Sequence, residues 1–253
     1  MSPRSCVEPS PVAKVGAVSS IADNLENIRA RVTAACAAAG RSATDVRLLA
    51  VSKTFGPEAI REAAAAGQRL FGENRVQEAA AKIPECPGRL EWHLVGHLQS
   101  NKAFVAANLF DWIHSVDSIK LLDTLDRHAE TVGRRLNVLL QVNVSGERAK
   151  SGLPPAEVPA VLARIPHLRN VAVRGFMTIP PLTADPEKAR PHFRQLRELR
   201  DQWTRDLGLD LPELSMGMTH DMDIAIAEGA TIVRVGTGIF GDRPRPVAPA
   251  EES

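Results

Sequence analysis

A chain of 253 residues with 44% hydrophobic and 24% charged side chains can bury a sizeable core, as one large or two small domains. Its 31 basic residues balance 30 acidic ones to a net charge of +1, so no global field favours nucleic acid or an anionic membrane as partner. Cys6, Cys36 and Cys86 are odd in number and lack CxxC spacing, which argues against a disulfide framework or a structural zinc site and for a reducing compartment.

Residues 1–18 are rich in Pro and Ser and are expected to be disordered, as is the Pro-rich tail 244–253. Lys14 and small polar residues break the apolar core that a secretory signal would need. No stretch is long enough to span a bilayer, and the reading is a cytosolic protein. Ser20-Ile21-Ala22-Asp23 is a helix-start pattern, and Ile21, Leu25, Ile28, Val32, Ala35 and Cys36 keep helical spacing as far as Gly40.

After a short polar linker the chain settles into short apolar strands alternating with helical segments. The strand units begin at VRLLAVSK, QRLFGEN, EWHLVGH, DWIHSVD, NVLLQVNV, NVAVRGFMT, PELSMG and TIVRVG. Gly67, Gly133, Gly208 and Gly229 close several of the helices between them. Strands separated by crossover helices pair in parallel, and eight of them at this length predict a single (β/α)8 barrel over residues 19–243. No GxGxxG follows the first strand, which removes the main support for a doubly wound dinucleotide fold. Little helix remains after the last strand, so the N-terminal helix is expected to cover the barrel beside strand eight.

The functional face of such a barrel is the C-terminal end of its strands. Strand one ends on Lys53, in phase with Leu49 and Val51, and strand two on Asn74, in phase with Leu70 and Gly72. His93 and His114 fall in strands three and four and read as structural hydrogen-bonding residues. Gln141 and Asn143 line the inside of strand five, where they can tie strand ends together. Met177 ends strand six, and Arg234 points inward from strand eight. Two buried cations, Lys53 and Arg234, repel each other and are costly to desolvate, which calls for an anionic ligand.

Two turns supply a place for one. LSMGMTHD sets Ser215, Gly217 and Thr219 at a strand-to-helix turn, and VRVGTGIFG repeats the arrangement with Gly236, Thr237 and Gly238. Turns after strands seven and eight match the recurrent phosphate site of these barrels. A phosphate anchor on one side of the mouth and an inward lysine on the other point to a phosphorylated aldehyde held as a Schiff base, with pyridoxal 5'-phosphate the candidate. A lysine amine is ordinarily protonated at neutral pH, so imine formation calls for desolvation or a neighbouring cation such as Arg234.

With those residues in view, LLAVSKT, FGENRVQEA, WHLVGHLQSNK, HSVDS, QVNVSGERAKSG, VRGFMTI, LSMGMTHDMDIAI and TIVRVGTGIFG together resemble the pyridoxal phosphate homeostasis protein family, from about Asn24 to Arg243. The resemblance implies a barrel like the N-terminal domain of alanine racemase. It makes Lys53 the Schiff-base lysine, and places Ser215, Thr219, Gly236 and Thr237 in the phosphate turns. Asn74 and Met177 then line the cofactor, and Arg234 faces the pyridine nitrogen. Thr219 departs from the family's usual serine but keeps the hydroxyl. The family has no established reaction, so the expectation is a non-catalytic holder of the cofactor, monomer or weak dimer, with cofactor-dependent apoenzymes as partners. Lys102 and Lys150 read as surface lysines.

Arg234 agrees with that restraint. A guanidinium stays protonated and disfavours a proton on the pyridine nitrogen, which weakens the ring as an electron sink. Related racemases use a tyrosine from a second domain as second base, and this chain has no tyrosine. The alternatives are a racemase using His93 or a cysteine as second base, and a Schiff-base aldolase that acts on a sugar phosphate without a cofactor.

Overall fold

In β1 (Arg47–Val51) successive side chains serve two different cores. Leu49 and Val51 join Val95, Trp112, Leu139, Met177 and Ile232 in a small buried cluster, while Ala50 belongs to the larger cluster on the other face. Burial on both faces is what a parallel sheet under helical cover requires.

The computed structural model describes residues 19–147 and 151–242. The tails expected to be disordered, Arg243 at the expected barrel boundary and Lys150 lie outside the described residues. Among the described residues β1 is followed by β2 (Leu70–Glu73), β3 (Glu91–Leu94), β4 (Trp112–Val116), β5 (Leu136–Gln141), β6 (Val171–Met177), β7 (Glu213–Met218) and β8 (Ile232–Val235). Each pairs in parallel with the next, and β8 closes on β1. The helices around them are α1 (Ile21–Ala38), α2 (Pro57–Ala65), α3 (Val76–Lys82), α4 (Ala103–Leu109), α5 (Ile119–Thr131), α6 (Val158–Leu162), α7 (Arg190–Leu207), α8 (Met222–Ala227) and α9 (Thr237–Phe240).

The predicted barrel is therefore present, with the small cluster inside it and the large one between strands and helices. The four glycines expected to close helices all have positive φ. At Gly208, where φ is +63°, the left-handed turn ends the 18-residue α7, a conformation that costs other residues steric strain.

Helix α1 begins with a capping box between Ser20 and Asp23 and buries the stripe Leu25, Ile28, Val32 and Cys36. It packs against α8 and the single turn of α9, so it covers the flank that a longer last helix would otherwise cover. Two polar contacts fix its placement: Asn24 Nδ2 donates to the Ile239 carbonyl at 2.9 Å, and Arg31 forks onto Asp223. Among the described residues no helix is long and apolar enough to cross a membrane.

Candidate functional site

The C-terminal strand ends open onto a cavity of about 810 Å³. Six of the eight residues singled out in the sequence line it: Lys53, Asn74, Thr219, Arg234, Gly236 and Thr237. The barrel's closure corrects one expectation about their arrangement. Because β8 pairs with β1 and β7 with β8, Lys53 stands beside the two hydroxyl-bearing turns, and does not face them across the mouth.

Lys53 lies two residues past β1, on a turn whose next residue, Thr54, has φ +71°. A β-branched residue in that region is strained, and buried chemistry holds the turn there. Ser52 is fully buried; its N–H donates to the Gly72 carbonyl and its hydroxyl to Glu73 Oε1 at 2.7 Å. The Thr54 N–H donates to Glu78 Oε1 at 2.6 Å. Lys82 ties these partners together, because its Nζ donates to the Ser52 carbonyl, Glu73 Oε1 and Glu78 Oε1 at 2.8 to 3.0 Å. The residues on either side of Lys53 are thus pinned by one buried cation and two carboxylates. Burial pushes the Glu73 carboxyl up, against the lowering effect of Lys82 and Ser52.

The two turns after β7 and β8 touch each other. Thr237 Oγ1 donates to Thr219 Oγ1 at 3.4 Å, and the Gly238 N–H reaches the same Thr219 oxygen at 3.4 Å. Arg31 of α1 donates to the Thr219 carbonyl at 2.8 Å, fixing that turn from outside. Gly217, at φ +89°, sits so close to α8 that a Cβ there would come 2.5 Å from the Ala225 methyl. Only glycine lets the helix approach the turn this closely.

Arg234 is 5% exposed, and burial pushes its guanidinium down to about 10, partly offset by the Asp221 carboxylate; it stays cationic at neutral pH. Nη1 donates to Ser215 Oγ at 2.8 Å and Nη2 to the Thr178 carbonyl at 3.0 Å. Here the expectation for Ser215 needs correction. Ser215 does not line the cavity with the two turns; it is fully buried inside the barrel, its hydroxyl between Arg234 and His114 Nδ1 at 2.9 Å. Met177 is likewise fully buried and does not line the cavity; it belongs to the inner cluster whose members Val51 and Val95 do reach the wall. Gln141 Nε2 donates to the Ser151 carbonyl at 3.0 Å and lines the cavity, and Asn143 Nδ2 donates to the Glu147 carbonyl at 2.9 Å.

His93 and His114 are indeed hydrogen-bonding residues of the interior, and burial holds both imidazoles below their ordinary range, His114 well below. The unfolded chain takes up protons near pH 6.5 that the folded barrel refuses. Stability is therefore complete above about pH 6.5 and falls as pH drops, by up to roughly 1.4 kcal/mol per pH unit for each imidazole. Glu73, with its raised carboxyl, acts in the opposite sense above about pH 4.5, one group against two. Urea unfolding midpoints at pH 7, 6 and 5 are expected to decline in that order, and less steeply in a His114→Gln variant. A flat profile in the parent protein contradicts this.

Reasoning from the sequence missed Lys82, Glu73 and Glu78 as supports of the lysine turn. A signal was present in the Glu78 to Lys82 spacing of four, but such a pair ordinarily marks a solvated helix face.

A parallel eight-stranded barrel with a lysine beside two hydroxyl-bearing turns belongs to the class for which alanine racemase is the type: the family model described as "Alanine racemase, N-terminal domain" matches residues 21–244. Full-length relatives narrow the class. The chain is 47% identical to the pyridoxal phosphate homeostasis protein of Pseudomonas aeruginosa, covering 89% of this chain and 97% of that one. It is 44% identical to that of Aquifex aeolicus, covering 87% and 97%. Among solved structures, PipY of Synechococcus elongatus with pyridoxal phosphate bound superposes with a TM-score of 0.78 at 44% identity, covering 88% of this chain and all of the other. The chain belongs to the pyridoxal phosphate homeostasis protein family.

Proposed function

We propose that the cavity holds pyridoxal 5'-phosphate attached through the Lys53 amine, and that the protein keeps and releases this cofactor without a reaction of its own. The observation that carries the reading is the shared cavity of Lys53 and the Thr219 and Gly236–Thr237 turns, on three consecutive strands of the barrel. A phosphorylated aldehyde meets an amine and a phosphate cradle there at the same time. In this reading Arg234 faces the ring nitrogen and Asn74 flanks the ring, while Met177 and Ser215 support them from the layer inside the barrel. The solved relative with pyridoxal phosphate bound and the names of the relatives support the same cofactor. Apoenzymes that need the cofactor are the partners this function implies, in the cytosol, for a monomer or weak dimer.

Among the described residues, the bases nominated for the racemase alternative stand away from the cavity. His93 is sealed inside the barrel and does not line the cavity; Cys36 is in the core, and Cys86 donates its thiol to the Lys82 carbonyl. Cys6 lies outside the described residues. Protein loaded with pyridoxal phosphate and given L-alanine in deuterated water is expected to exchange the α-hydrogen no faster than free cofactor does. Faster exchange that disappears on replacing Lys53 overturns the non-catalytic reading, and a protein that binds no pyridoxal phosphate overturns the whole proposal.

A further inference from the structure

Four consecutive hydrogen bonds cross the inside of the barrel. Glu91, the first residue of β3, meets His93 Nε2 at 2.9 Å; His93 Nδ1 meets His114 Nε2 at 2.8 Å; His114 Nδ1 meets Ser215 Oγ at 2.9 Å; and Arg234 Nη1 donates to that same oxygen at 2.8 Å. The chain runs from the N-terminal end of one strand to the cavity near the C-terminal end of another. Its interior members, His93, His114 and Ser215, are each fully buried and lie outside the cavity wall.

The carboxylate end fixes a direction. Ionised Glu91 can only accept, so His93 carries a proton on Nε2 and donates to Glu91 Oε1. A neutral His93 then accepts at Nδ1, so His114 carries its proton on Nε2 and donates to it. His114 Nδ1 accepts in turn from the Ser215 hydroxyl, whose oxygen accepts from the Arg234 guanidinium. One assignment, both imidazoles neutral with the proton on Nε2, satisfies all four bonds. Burial, which disfavours the charged imidazoles, agrees with it.

A proton added to His93 would reverse the order. His93 Nδ1 would become a donor, His114 would shift its proton to Nδ1, and Ser215 Oγ would receive two donors and have to turn its own proton elsewhere. The number of donors that Ser215 Oγ must accept alongside Arg234 therefore differs between the two states of the chain. The charged groups around the relay are Arg47, beside Glu91 and over the Trp112 ring, with Glu213 paired to that arginine, and Asp111 acting on His93. Asp221 acts on Arg234.

We propose that His93 and His114 are positioning residues for Arg234, acting through Ser215 in a relay that begins at Glu91. The relay sets which edge of the guanidinium is spent inside the barrel and which is left for the cavity. The reading of that edge as the partner of a pyridine nitrogen rests on the function proposed above, but the relay itself does not.

Glu91→Gln tests it, because Glu91 is partly exposed at a strand start and the change keeps its shape. In protein without cofactor, nitrogen-15 NMR is expected to show His93 and His114 neutral and protonated on Nε2, and Glu91→Gln is expected to shift the Arg234 side-chain resonances. Either imidazole protonated on Nδ1, or Arg234 signals unchanged by Glu91→Gln, overturns the relay. After loading with pyridoxal phosphate, the pH midpoint of the visible band is expected to move by on the order of half a unit in Glu91→Gln and in His114→Gln. Superimposable titrations in a loaded protein overturn the positioning of the cofactor-facing edge. A protein that stays colourless defeats the cofactor reading alone, and the two NMR readouts still decide the relay.

Discussion

Lys53→Ala is expected to abolish covalent attachment of pyridoxal phosphate and to weaken its binding by at least about a hundredfold, or roughly 2.7 kcal/mol, while the fold is unchanged. The fold survives because the turn is held by the neighbours of Lys53: Ser52 on Glu73 and Lys82, and Thr54 on Glu78. The turns after β7 and β8 also keep their own supports, Arg31 on the Thr219 carbonyl and the contact between Thr219 and Thr237. Residual, non-covalent binding should therefore be visible by calorimetry but leave no reducible chromophore. Undiminished affinity in the variant would assign the attachment to another amine.

Lys82→Met is expected to be among the most destabilising single changes in the barrel, by about 3–5 kcal/mol. Lys82 is 6% exposed and Glu73 is fully buried, so removing the amine strands a carboxylate, whereas Met keeps the apolar stem in place. The Thr54 backbone, at φ +71°, loses its anchor as Glu78 is released, and its amide should exchange with solvent faster than in the parent. Adding Glu73→Gln removes the stranded charge and keeps an acceptor for Ser52, so the double variant is expected to recover much of the loss in a urea titration. If the double variant is no more stable than Lys82→Met alone, the buried charge is not the source of the cost.

Phase along single strands was legible in the sequence, and it carried the barrel and most of the site. Leu49, Val51 and Lys53 share a face, as do Ile232 and Arg234, because a strand's alternation is local and both of its faces are apolar here. What phase cannot give is the partner across the barrel. Ser215 stands with Gly217 and Thr219 in LSMGMTHD, which reads as a single strand-to-helix turn suited to phosphate. Its hydroxyl is instead committed to His114, 101 residues away in sequence, and to Arg234. Lys82 was hidden for the same reason: its burial is decided by Ser52 and Glu73 from two other strand ends, not by its own helix. The closure of β8 onto β1 likewise turned an expected opposition between lysine and phosphate turns into adjacency. Thr219 holds its hydroxyl at the turn, in contact with Thr237.

The most direct test of the central claim is to incubate the protein with pyridoxal 5'-phosphate, reduce with borohydride, digest, and locate the added pyridoxyl group by mass spectrometry. Stoichiometric label on the peptide carrying Lys53 is the predicted result. No label, or label on another lysine such as Lys102 or Lys82 with Lys53 unmodified, would contradict it.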